Sequence, residues 1–144
     1  MKTVSDFLST ILLFALLFCT LNLAAQSHSE KTINKKGEII ISDGSKIGYL
    51  DSLGNVFNSK GERLGKIDPA GVVTNASGKK IGEVKNGKYT SIDGKSVITT
   101  KSQGEICEVY DEHGHKLGSV HNNYKLHACA IHCFYKEEEL KKKK

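Results

Sequence analysis

The sequence predicts an all-β fold of about five 17-residue β-hairpin repeats, arranged radially in a barrel-like ring after an N-terminal signal segment. Three observations carry this prediction. Glycines recur in three series that share one period. Apolar β-formers keep fixed offsets from those glycines. Asx-Gly and other Gly-containing turn signals separate the apolar runs. A chain of 144 residues with 26% charge suits one small domain, and one Pro against 14 Gly excludes a Pro-rich stalk.

Residues 1–25 read as a signal peptide. Met1 and Lys2 open a polar start, an apolar stretch runs from Phe7 to Leu23, and the small residues Ala24 and Ala25 precede polar Gln26. Ser9, Thr10, Thr20 and Asn22 interrupt the run, which weakens the alternative of an uncleaved anchor. A lipoprotein modified on Cys19 is a further alternative, although bulky Phe18 precedes that Cys. Residues 26–35 read as a linker, 36–135 as the repeat domain and 136–144 as a charged tail. Removing 1–25 takes away one Lys (Lys2) and one Asp (Asp6), so the net charge stays +5. Arg63 is the only Arg. Readers of nucleic acid rely on Arg, so scattered Lys argues for a solvated surface and no nucleic-acid partner.

The leading glycines are Gly37, Gly54, Gly71, Gly87 and Gly104, stepping by 17, 17, 16 and 17. The tip glycines are Gly44, Gly61, Gly78, Gly94 and Gly114. A third series, Gly48, Gly65, Gly82 and Gly118, falls inside the second strand of each repeat, with Ile98 standing where repeat four would have its Gly. The fifth repeat is better framed from Cys107, with an insertion around Gly104-Glu105-Ile106. Ile39, Val56, Val73, Tyr89 and Val109 then align, as do Leu50, Ile67, Val84, Thr100 and Val120. The third-series Gly lies between apolar residues three apart, which a regular strand would point to opposite faces. A bulge or bend there returns both to one core. One hairpin cannot bury its own face, so the repeats must stack or close.

The pattern Gly-x-Val-Phe/Ile-Asn/Ser-x-x-Gly-x-x-Leu/Ile-Gly-x-Ile/Val, over about residues 36–121, resembles the five-fold β-flower family of small bacterial secreted proteins. That resemblance implies a flower-like radial set of five hairpins. It brings no activity and no catalytic residues. Repeat four departs from it by lacking the third Gly, and repeat five by its insertion.

The run Tyr124–Tyr135 leans towards a last strand that seals the ring, with a helix left open by its Ala and Leu. It carries the only cluster of metal-ligand types: His127, Cys129, His132 and Cys133. As a strand it would put His127, Cys129 and Cys133 on one face, an alternation that an ordinary half-buried strand also shows. Zinc or copper is the cofactor of that alternative; otherwise none is expected. Cys107, Cys129 and Cys133 are an odd count for an exported chain. In a strand, Cys129 and Cys133 would be about 13 Å apart, too far for a disulfide. In a helix they would be close enough. Cys107 bonded to Cys129 or Cys133 is therefore one expectation, and three reduced buried thiols the other.

Other motifs fade on inspection. Gly82–Lys88 mimics a phosphate loop, but Tyr89 stands where Ser or Thr would hold magnesium, and no helix follows. Neither G-x-S-x-G nor H-E-x-x-H occurs. Asp43, Asp51, Asp68, Asp93 and Asp111 recur at turns, where Asx side chains hold the backbone. Asn75-Ala76-Ser77 matches a glycosylation acceptor, relevant only in a eukaryotic secretory route. The Lys- and Glu-rich tail reads as solvated, with loose attraction to anionic surfaces as its functional alternative. These readings favour a non-catalytic structural or binding module, secreted or placed in the periplasm or outer envelope. Its partner is an unidentified envelope or extracellular one, or a second copy, met through the hairpin tips. The rival is a metal-binding or thiol-redox protein using the C-terminal cluster.

Overall fold

The computed structural model describes residues 29–135. The signal segment at 1–25 and the tail at 136–144 lie outside the described residues. Eleven strands close into one barrel: β1 Lys31–Ile33, β2 Glu38–Ile41, β3 Lys46–Leu50, β4 Asn55–Asn58, β5 Arg63–Ile67, β6 Val72–Asn75, β7 Lys80–Lys85, β8 Lys88–Ser91, β9 Val97–Gln103, β10 Ile106–Tyr110 and β11 Lys116–His121. The chain ends in a 3-10 helix, Asn122–His127, kinked at Tyr124, and one turn of α-helix, α1 Ala130–Cys133.

Ten strands are the five hairpins β2–β3, β4–β5, β6–β7, β8–β9 and β10–β11, each antiparallel. The ring is sealed by β1, inside the stretch read as a linker. It pairs antiparallel with β2 and parallel with β11, with Ile33 opposite Val120. An odd number of strands in a closed ring forces at least one parallel pair. The linker reading failed because three residues give too little pattern to see, although the middle one faces out and Ile33 is fully buried. Tyr124–Tyr135 is correspondingly not a sealing strand; Ala128–Tyr135 fills the space the ring encloses, and the 3-10 helix before it lies over one end.

The in-strand glycines mark bulges. Register shifts fall at Ile39/Ile40, Val56/Phe57, Val73/Thr74 and Val109/Tyr110, opposite Gly48, Gly65, Gly82 and Gly118. The extra residues are Ile47, Leu64, Ile81 and Leu117, each turned onto the core. Repeat four has Ile98 paired in plain register with Tyr89 and no bulge. Most of the turns use Asx side chains. Asp51 Oδ1 accepts from the Leu53 and Asn55 amides, both at 2.9 Å, and Asn34, Asn58 and Asn75 do the same work in other turns. Burial pushes the Asp51 carboxyl up, but its donors on Asn55 and Leu53 outweigh that and hold it below the usual carboxylate range.

Candidate functional site

The barrel has two unlike ends. At one, the tip glycines Gly44, Gly61, Gly78, Gly94 and Gly114 take positive φ in open space. At the other, three of the return turns lie under the 3-10 helix. Tyr124 covers Gly37, His127 covers Gly54, and Lys125 reaches Gly87 and bonds Ser102 Oγ at 3.3 Å. From there α1 descends into the barrel. Ala128, Cys129, Ala130 and Ile131 are buried, followed by Phe134 and Tyr135.

The plug fits because the inner wall lacks side chains where it passes. Tyr135 lies over Gly48, and its hydroxyl donates to the Phe57 carbonyl at 2.7 Å. Phe134 lies over Gly65, and Tyr89 from the wall itself over Gly82. Beside Gly118 it is the backbone of Lys31 that approaches. Each in-strand glycine thus admits a different neighbour. Sequence reasoning missed Phe134 and Tyr135 as partners of this series. Their signal was there: several inward positions stripped of side chains require bulk from elsewhere, and the chain's last aromatics supply it.

The entry to the plug is fixed at Asn122. Its Oδ1 accepts from the Cys107 thiol at 3.0 Å, its Nδ2 donates to the Gly104 carbonyl at 2.7 Å, and its amide donates to the Glu105 carbonyl at 2.9 Å. Cys107 is fully buried there, with Ser102 Oγ at 3.7 Å. The expected Cys107 disulfide is not formed; Cys107, Cys129 and Cys133 are all free thiols.

The four residues expected to share a metal are not gathered on one face, because the segment is helical. His127 sits in the 3-10 helix against Gly54, and its ring hydrogen-bonds the Ile67 backbone while Nδ1 is buried without a partner. Burial holds this imidazole below the ordinary histidine range, against the opposing pull of the Ile67 bond. Cys129 and Cys133 face Tyr89 instead. Among the described residues, no three His, Cys, Asp or Glu side chains are placed to hold a metal ion. The recess between the plug and the β7–β9 wall, near Thr100 and Lys125, has room for no more than a water molecule. Among the described residues no helix is long and apolar enough to cross a membrane.

Hairpin repeats closed into a ring, with an interior filled by the chain's own C-terminal segment, define a small all-β repeat barrel. The model of the 5-fold beta-flower protein family matches residues 20–136, and the chain belongs to that family. No curated protein matches the chain, and no solved structure does.

Proposed function

We propose that the protein is an exported, non-catalytic structural or binding module of the cell envelope or extracellular space, which meets its partner through the hairpin tips. One observation supports this reading: among the described residues the barrel interior is occupied by α1, Phe134 and Tyr135, and the recess beside them has room for no more than a water molecule. The turn carboxylates support it. Asp111 Oδ1 accepts from the His113 and His115 amides at 2.9 and 2.8 Å, and Asp43 and Asp93 likewise serve backbone amides at the tips. No catalytic motif is present. Five equivalent tips with open space around their glycines give a repeated contact surface at one end.

The test is fractionation of the native host, with surface proteolysis, followed by binding of envelope fractions to the purified protein. Export with loss of residues 1–25 is expected, as is binding that falls for Lys60→Glu and Lys79→Glu at the tips. An unprocessed cytoplasmic protein sinks the proposal. So does envelope binding that tip substitutions leave unchanged.

A further inference from the structure

The plug carries two thiols one helical turn apart. The Cys133 amide donates to the Cys129 carbonyl at 2.8 Å, and the His132 amide reaches the same oxygen at 3.0 Å. Cys129 is 2% exposed, and Cys133 is half-buried at the edge of the plug. Residues four apart on a helix have Cα atoms about 6 Å apart, within the span a disulfide bridges. Their Cβ atoms, at about 5–6 Å, must draw closer for the bond to form.

We propose that Cys129 and Cys133 form a thiol–disulfide exchange site on the plug, entered at Cys133 on its edge and oxidised by a small soluble disulfide. The inference goes beyond the module reading and does not depend on it. Cys107 is excluded from the pair because its thiol is engaged with Asn122. Position divides the roles. Cys133 is the less buried of the two residues, and the neighbouring Cys129 thiol and Tyr89 hydroxyl hold its thiol low despite burial. Cys129 is hydrogen-bonded to Cys133 and buried, and both push its thiol well up.

The chemistry balances as follows. Cys133 loses its proton, and its thiolate attacks one sulfur of the oxidant. The oxidant's S–S bond breaks, a mixed disulfide forms on Cys133, and one thiolate leaves. The leaving thiolate takes the Cys129 proton, and Cys129 attacks the Cys133 sulfur. The Cys129–Cys133 bond forms and the second thiolate leaves, recovering the proton Cys133 gave up. Two protein thiols lose two electrons, and one disulfide becomes two thiols.

The experiment treats the folded full chain with oxidised glutathione, alkylates the remaining thiols and maps peptides without reduction. The expected result is a loss of about 2 Da within the tryptic peptide spanning 126–136, with Cys107 alkylated. Cys129→Ser should accumulate a glutathione adduct on Cys133, and Cys133→Ser should show neither adduct nor bond. Tyr89→Phe should raise the pH midpoint of Cys133 alkylation, a readout that packing alone does not move. A doubly alkylated 126–136 peptide from the oxidised wild-type chain overturns the proposal, as does a bond from Cys107 to either thiol. An unmoved midpoint in Tyr89→Phe overturns the role given to Tyr89. The wild-type map decides the main question even if a variant fails to fold.

Discussion

The hydroxyl of Tyr135 occupies the place that a Cβ on Gly48 would take. The glycine is therefore kept for space: its φ is not positive, and any residue could adopt the backbone there. Gly48→Ala must displace Tyr135 and also meets the Phe57 carbonyl. A destabilisation of about 1–3 kcal/mol is expected from chemical denaturation. Adding Tyr135→Phe should recover only part of it, because the Phe57 carbonyl remains. Gly44→Ala at a tip meets no neighbour and should cost only its left-handed φ of 86°, about 1 kcal/mol.

Phe134 seals the plug against Gly65 and is 8% exposed. Phe134→Ala should cost about 3–5 kcal/mol and open a cavity that an apolar dye reports. Ile67→Ala, deep in the wall, should cost about 2–5 kcal/mol. Leu64→Ala, at a half-buried bulge position, should fall below Ile67→Ala in the same denaturation series. Equal and negligible losses at all three sites would contradict the core described above.

Asn122 ties the plug to the last hairpin through Cys107 and Gly104. Asn122→Ala removes both side-chain bonds and should cost about 1–2 kcal/mol. Hydrogen exchange should quicken at amides 125–134 while the strand amides of β4–β7 keep their protection. Uniform loss of protection would show that the plug and wall open as one unit instead.

His127 and Glu83 both contribute to the acid limb of stability, beside other lowered carboxylates such as Asp51 and Asp111. The imidazole of His127 is depressed in the folded chain, so the unfolded chain binds its proton first as pH falls. Its contribution is intact above 6.5 and declines as pH drops below that value. Glu83 is held down to about 2 by Lys85 and Lys80, so its contribution is present above 4.5 and is lost as pH falls towards about 2. Glu83 is exposed, and salt should weaken its share. Denaturation midpoints measured between about pH 8 and pH 3 should show both windows. His127→Gln should flatten the upper one alone.

The repeat was legible because each hairpin carries its own instructions. Gly61 needs its positive φ whatever the neighbouring hairpins do, and Asp51 makes its turn bonds within four residues. The bulges were legible for the same reason, as was their absence at Ile98. Two features escaped because nothing local encodes them. Lys31–Ile33 is only three residues long, and the partner that makes it the seal, β11, lies far along the chain. The C-terminal run was misread because His127, Cys129, Ile131 and Cys133 alternate like a strand. The same residues also satisfy helical spacing, with Cys129 near Cys133 and Ile131 near Tyr135. The four residues Ala128–Ile131 are all buried, so no polar face remained to declare the period. The one-face arrangement of His127, Cys129 and Cys133 belonged to that strand reading, while the Cys129–Cys133 pair needed the helix to become visible.

Every neighbouring pair of strands but one is consecutive in the chain, and the exception is the seam between β1 and β11. Across it, Thr32 meets Ser119 from 87 residues away. The five hairpins can zip up through short loops, each on a microsecond scale. The seam alone must wait for a long loop to close, for the reward of three paired residues on β1. Ring closure is accordingly expected late in folding, and amide exchange should be faster at the short β1–β11 pair than within the hairpins.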